Sequence, residues 1–272
     1  MKYDKKTPNT GKTKMIDMDE IKFKQWAEKL YNERSKNLNA VDAAGQWGDK
    51  EFVPQICEEI LKKIEIKKND IVLEVGCGSG VLGSYLKNKC ANYYGIDISF
   101  KMLQKFQGEY NQERRFNLIQ GVSDNLPFSD NSFSKILINS VTMYLHGKKL
   151  LENTLSELER VSKKNSIIFI GDNITPDGIF WEYSWFQNKS ITSQFFAKQY
   201  IKLRLWLAEL NPKLAGKWKF HYKSVRYEFF RKFFGMRAKT YLSESAARTI
   251  KKRVYGEKHK GNRRVDFIIR FD

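Results

Sequence analysis

Short apolar runs at 71–75, 93–97, 116–120, 136–139 and 167–171 alternate with longer stretches at 81–89, 100–107 and 148–162, where apolar residues recur every three or four positions. Runs of the first kind, bounded by polar or glycine-bearing turns, fit buried strands, and the second recurrence fits amphipathic helices. Strands that alternate with helices predict an α/β fold: a parallel sheet covered on both faces and joined by right-handed crossovers.

Outside this block the pattern changes. Residues 1–18 are polar and lysine-rich and are expected to form a mobile tail. Ile21, Phe23, Trp26, Ala27, Leu30 and Tyr31 then repeat at helical spacing, 43–48 (AAGQWG) reads as a loop, and 52–64 reads as a second amphipathic helix. From 174 to about 222 no strand-like run occurs, and Phe195, Phe196, Ile201, Leu205, Trp206 and Leu210 follow a helical period. That length exceeds an ordinary connection and predicts a helical insertion. A helix at 225–234 and strands at 236–242 and 265–271 are expected to close the sheet.

The densest chemistry lies in Leu73 to Gly80, LEVGCGSG, where a buried strand gives way to alternating glycines and then to a helix. Glycine belongs where the backbone takes a positive φ or must approach a ligand without a Cβ in the way. A helix start adds free N–H groups. The second strand ends in Tyr94-Gly95-Ile96-Asp97, and a carboxylate at that tip can accept both ribose hydroxyls of a nucleoside. Gly78 to Gly83 also spells GxGxxG, the dinucleotide pattern, but this frame begins two residues after the first glycine of the turn.

In the frame that starts at Glu74, E-x-G-x-G-x-G, the chain resembles the class I S-adenosylmethionine (SAM)-dependent methyltransferases, and among them the type 11 small-molecule branch. Further residues carry the resemblance in order: Gln120-Gly121-Val122-Ser123, the segment Leu126-Pro127-Phe128-Ser129-Asp130-Asn131-Ser132-Phe133, the strand at 136–140 and the helix before strand five. It covers about 100 residues, from Asp70 to Asp172. The fold it implies is a Rossmann-like seven-stranded methyltransferase sheet with helices on both faces and a helical insertion between strands five and six. The resulting organisation is a tail over 1–18, helices covering the cofactor site over 19–69, a SAM-binding core over 70–173, a cap over 174–224, and a closing helix with the last two strands over 225–272.

By the same resemblance, Glu74 belongs to the cofactor loop, Gly76, Cys77 and Gly78 would line the methionine part of SAM, Asp97 would hold the ribose and Ile98 would pack on the adenine. Val122 and Ser123 would sit beside the adenine edge, and Asn139 would face the cofactor. Val122 stands where the family usually has Asp to accept the adenine amino group. Either that hydrogen bond is lost or Asp124 supplies it.

Composition sharpens the picture. With 49 Lys and Arg against 31 Asp and Glu, the 272-residue chain carries a formal charge of +18. Residues 173–272 hold 22 basic and 8 acidic side chains and 21 of the 38 aromatics. A 41% hydrophobic content excludes a wholly disordered chain. There is no apolar run near the ~20 residues of a membrane-spanning helix and no signal-peptide segment. The three cysteines, Cys57, Cys77 and Cys90, form no CxxC pair and suggest neither a disulfide framework nor a metal site. A cytoplasmic location follows as the expectation, with contact at the inner membrane surface left open.

Methyl transfer asks the protein to align a nucleophile and exclude water. A hydroxyl or amine acceptor adds the need for a general base. Candidates are His146 after strand four, His221 at the far end of the insertion, and Asp172 at the tip of strand five. Against each stands a structural alternative: a solvated loop histidine, a surface histidine among lysines, and a turn-capping aspartate.

Three acceptor readings follow from the basic, aromatic insertion. Trp181, Tyr183, Trp185 and Phe186 could wall a pocket for a small, anionic or sugar-containing acceptor, with O-methylation leading; the ending from Gly261 to Arg270 is loosely similar to type 11 enzymes of surface-polysaccharide biosynthesis. Cations interleaved with aromatics also suit RNA. The run 195–210, with Lys198, Lys202 and Arg204, could lie on anionic lipid or a partner in a module whose SAM site is vestigial. The sequence gives no oligomeric state.

Overall fold

The computed structural model describes residues 18–36, 39–44, 50–110, 116–145, 147–174, 190, 192–193, 195–196, 199, 227–255 and 264–272. The tail over 1–17, most of the insertion, including Trp181, Tyr183, Trp185 and Phe186, and both His146 and His221 lie outside them.

Among the described residues seven strands form one sheet: β1 (Ile71–Val75), β2 (Asn92–Asp97), β3 (Phe116–Gln120), β4 (Phe133–Asn139), β5 (Ser162–Ile174), β6 (Lys239–Glu244) and β7 (Arg264–Arg270). Their order is β3-β2-β1-β4-β5-β7-β6. The five strands β3 to β5 pair parallel and β7 runs antiparallel between β5 and β6. The strand order reverses between β1 and β4, where a crevice opens outside the carboxyl ends of the strands.

Among the described residues the bounded α-helices are α1 (Met18–Arg34), α2 (Ala40–Ala44), α3 (Val53–Lys63), α4 (Val81–Leu86), α5 (Phe100–Tyr110), α6 (Lys148–Val161), α7 (Tyr227–Phe234) and α8 (Ala246–Tyr255). Alternation along the strands sends side chains to opposite faces. Val72, Leu137 and Phe169 join one core cluster with Ile56, Ile60 and Phe106. Leu73, Ile136 and Ile168 join a second with Leu155, Leu158 and Phe230. The sheet is therefore buried on both sides, as a parallel sheet requires.

Several bounds differ from the sequence expectation. Ala43 and Ala44 belong to α2 instead of a loop, because Asn39 caps that turn: its Oδ1 accepts the Asp42 N–H at 2.9 Å. The helix expected over 81–89 ends at Leu86. β4 begins at Phe133 and β5 spans 13 residues, both longer than their apolar stretches, because Phe133 pairs with Ser162, Lys135 with Val72 and Ile167, and Asn173 and Ile174 with Val265 and Arg264. An unforeseen helix, α8, lies between the last two strands. Ser245 starts it, its Oγ accepting the Arg248 N–H at 3.2 Å, and Ala246 and Ile250 are buried against α3.

Candidate functional site

At the strand reversal the chain builds a cavity of about 150 Å³ from the loop after β1, the tips of β2 and β4, the turn after β3, and α1. Two glycine positions show why the loop takes this form. Gly76 has φ +74°, and a Cβ there would stand 2.3 Å from Val141 Cγ2; Gly80 has φ +83°, and its Cβ would stand 2.3 Å from the Phe106 ring. An L side chain is strained at such φ values, and here it also has no room. The turn is pinned to β2, since the N–H groups of Gly76 and Cys77 both donate to the Ile96 carbonyl, at 2.7 and 3.1 Å.

Asp97 joins loop and sheet. Its Oδ2 accepts the Gly78 N–H and its Oδ1 the Ser99 N–H, each at 2.8 Å. Burial pushes its carboxyl up to about 6, against the lowering effect of those two donors. Each carboxylate oxygen has a second lone pair to offer a hydroxyl in the cavity. Glu74 is also buried in the cavity wall and accepts the Tyr93 hydroxyl at 2.6 Å. Burial raises it to about 8, opposed by that hydrogen bond and aided by nearby Asp97.

The residues expected around a cofactor are brought together. Gly76, Cys77, Gly78 and Ile98 line the same cavity as Glu74 and Asp97, and so do Val122, Ser123 and Asn139. Cys77 turns its Sγ toward β2, where a Cβ on Gly95 would come within 2.8 Å of it. Burial drives this thiol well above its ordinary range, which removes it as a nucleophile at neutral pH. The Ser123 hydroxyl shares a 2.9 Å hydrogen bond with Thr154. Asn139 is accommodated because residue 171 is glycine: a Cβ there would lie 2.2 Å from the Asn139 Oδ1.

Around the adenine edge anticipated at Val122, the polar group that reaches the cavity is Asp124. Its Oδ2 accepts Lys24 Nζ of α1 at 2.8 Å, whereas Oδ1 is buried with no hydrogen-bond partner among the described residues. A buried acceptor left unpaired is costly and calls for a donor. Helix α1 supplies wall residues that motif reading did not single out, Lys24 and Tyr31. Tyr31 meets Tyr144 edge-on at 5.8 Å between centroids, and Asn32 Oδ1 accepts the Ser99 hydroxyl at 2.7 Å. The signal available was the spacing of Lys24, Ala27 and Tyr31, which places them one helical turn apart.

Asp172 sits elsewhere. The strand shifts register between Ile170 and Asn173, and Asp172 takes φ +58°. Its carboxylate forms an ion pair with Arg264 and accepts the Ser140 hydroxyl at 2.8 Å, so it faces β4 and β7 and not the main cavity. A small neighbouring cavity, walled in part by Asp172, Ser140 and Asp266, adjoins it. The Asp172 carboxylate is thus engaged by a guanidinium and a hydroxyl at the edge of the site. Among the described residues no group of three His, Cys, Asp or Glu side chains is placed to hold a metal, and no helix is long and apolar enough to cross a membrane.

A nucleoside-bearing cofactor suits this donor and acceptor set. The Asp124 oxygen wants a donor, Asp97 faces the cavity with spare lone pairs, and Ile98, Met102 and Leu145 give apolar walls.

Comparison with known proteins agrees. Residues 73–170 match the methyltransferase domain family, type 11. An uncharacterised protein of Methanocaldococcus jannaschii is 32% identical over 136 residues, covering 48% of this chain and 56% of that protein. A tRNA (guanine-N(7)-)-methyltransferase of Clostridium botulinum is 35% identical over 118 residues, covering 37% and 54%. The chain thus spans about half the length of these curated relatives. In fold it resembles phosphoethanolamine N-methyltransferase 1 of Haemonchus contortus, solved with phosphoethanolamine and S-adenosylhomocysteine: TM-score 0.63, 12% identity, 93% of this chain and 48% of that one. The strand order, the glycine loop closing on Asp97 and the matched segment together identify residues 73–170 as a class I SAM-dependent methyltransferase domain of the type 11 branch.

Proposed function

We propose that this chain methylates a small acceptor, anionic or sugar-containing, with O-methylation the leading chemistry. The observation that carries the reading is the single cavity in which the glycine loop, Asp97 and the unpaired Asp124 oxygen converge. When bound there, SAM supplies a methyl group already activated on a sulfonium. The residues of the chain then have binding, orientation and water exclusion to perform. Asp97 holds the ribose hydroxyls, Asp124 Oδ1 takes the adenine amino group in place of the residue at Val122, and Ile98 packs against the base. Gly76, Cys77 and Gly78 lie along the methionine portion, and Asn139 faces the reacting end. Helix α1, fastened through Lys24 and Asn32, shields the cavity from water.

A hydroxyl acceptor must lose a proton, and His221 or His146 is the group proposed to take it. Leu145, beside His146, is already a wall of the cavity. The segment 174–224 is proposed as the acceptor cap. Its lysines and arginines favour an anion, since residues 174–224 carry 8 basic against 3 acidic side chains. The same excess, with a tRNA methyltransferase among the relatives, supports RNA as the second reading.

Calorimetry with SAM and with a nicotinamide dinucleotide tests the cofactor. SAM alone is expected to bind, and Asp97→Ala is expected to weaken it at least ~tenfold by removing charge-assisted hydrogen bonds. An unchanged affinity defeats the ribose assignment. Turnover on nucleotide-sugar or lipid-phosphate acceptors supports the small-acceptor reading, and turnover confined to RNA replaces it. His221→Ala is expected to reduce turnover more than SAM affinity.

A further inference from the structure

Two carboxylates, the buried Glu74 and the half-buried Asp97, share one cavity wall, and neither has an ion-pair partner among the described residues. Around Glu74, β2 offers the neutral Tyr93 hydroxyl and Asp97 itself, the loop offers the Cys77 thiol, and α3 offers Cys57. The cations nearby are engaged: Lys24 on α1 with Asp124 at 2.8 Å, and Lys89 with Glu58 at 2.5 Å. Asp97 has two backbone N–H donors to stabilise its charge, whereas Glu74 has one tyrosine hydroxyl. Two uncompensated charges so placed are costly, and such a pair lowers the cost by keeping a proton.

We infer that Glu74 reads the charge of the cofactor: the sulfonium form enters with release of a proton from Glu74 to solvent, and the neutral thioether product binds without one. The inference rests on the reading that this cavity takes SAM. SAM carries one positive charge more than S-adenosylhomocysteine, because methyl loss turns the sulfonium into a thioether. The balance for uptake is a cation and a protonated carboxyl going to a cation–carboxylate complex plus a solvated proton. Once the methyl has left, the carboxylate faces no sulfonium and recovers its proton, which weakens the hold on product relative to SAM. Glu74 is on this account a specificity-determining residue. Its buried position, raised to about 8, places the exchange near neutral pH.

The experiment is calorimetric titration of the full chain with SAM and with S-adenosylhomocysteine at pH 7, in two buffers that differ in ionisation enthalpy. Wild type, Glu74→Gln and Asp97→Asn are compared, and circular dichroism verifies folding. Expected for wild type is release approaching one proton with SAM and little with the product. SAM affinity should rise by up to ~tenfold per pH unit below pH 8, the limit for one linked proton. Glu74→Gln should bind both ligands without proton release and lose most of the preference for SAM. Equal release with both ligands overturns the inference, and so does wild-type release from the Gln variant. Release lost only in Asp97→Asn assigns the proton to Asp97 and overturns the Glu74 role. Absence of SAM binding at every pH defeats the cofactor reading instead, and the inference falls with it.

Discussion

Lys24 donates to Asp124 Oδ2 at 2.8 Å, so helix α1 is tied to the turn after β3 at the cavity wall while the other Asp124 oxygen stays buried and unpaired among the described residues. If that oxygen takes the adenine amino group, Asp124→Ala should weaken SAM by about 1.5–3 kcal/mol, roughly ten- to a hundredfold. An analogue with oxygen in place of the amino group should bind wild type poorly and the variant no worse than SAM. Equal discrimination by the two proteins removes Asp124 from the adenine edge.

Gly80→Ala should destabilise the fold before it affects chemistry. The residue sits at φ +83° and a Cβ would press 2.3 Å from the ring of Phe106, a fully buried residue of α5 packed on Phe116 of β3. Left-handed strain alone costs about 1–3 kcal/mol, and displacing Phe106 adds to it. Urea unfolding at pH 7 measures the sum. A loss below about 0.5 kcal/mol would show that the turn can rearrange without its glycine.

The parts of this arrangement visible in sequence are those written in local patterns. Apolar runs and helical recurrence marked all seven strands and most helices, and the glycine loop with Asp97 marked the cavity floor. What stayed hidden depends on distant partners. Asp172 reads from the sequence as a strand-tip carboxylate, and its ion pair with Arg264, 92 residues on, is written in no local pattern. The α1 wall depends on contacts such as Lys24 with Asp124, 100 residues apart, that no periodicity encodes. Helix α8 is faint in the sequence, although Ser245 and the apolar pair Ala246 and Ile250 offer an N-cap and one helical face. Its four cations over 246–255 diluted the apolar signal.

Asp266 should prove more sensitive than its distance from the main cavity suggests. Its side chain is 1% exposed and accepts Lys63 Nζ at 2.7 Å, the Asp172 N–H at 2.8 Å and the Ala246 N–H at 2.9 Å, joining β7 to α3, β5 and α8. Asp266→Ala leaves the Lys63 ammonium without its carboxylate and two N–H groups without acceptors. A loss of about 3–5 kcal/mol is expected, as for removal of one partner of a buried pair. Lys63→Met combined with Asp266→Leu should recover part of that loss. Urea midpoints of the single and double variants check both statements, and a mild single variant would show that solvent reaches the cluster.

The stability of the cofactor-free protein should fall as pH rises through neutrality, and Glu74 should account for it. Its carboxyl ordinarily titrates near 4.5 and is raised to about 8 here, by burial foremost. Below about 4.5 both folded and unfolded chains hold the proton and Glu74 contributes no pH dependence. Between about 4.5 and about 8 the folded chain keeps a proton that the unfolded chain has lost, so raising pH favours unfolding. The slope has a ceiling of about 1.4 kcal/mol per pH unit for one group. Above about 8 both states are ionised and the penalty levels off. Because other carboxylates titrate at the acid end, the informative quantity is the difference in urea midpoint between wild type and Glu74→Gln. That difference should move steadily against wild type from pH 5 to pH 8, and saturating SAM should flatten it by supplying the cation that an ionised Glu74 lacks. A difference independent of pH would mean that Glu74 is ionised throughout, stabilised by more than the Tyr93 hydroxyl.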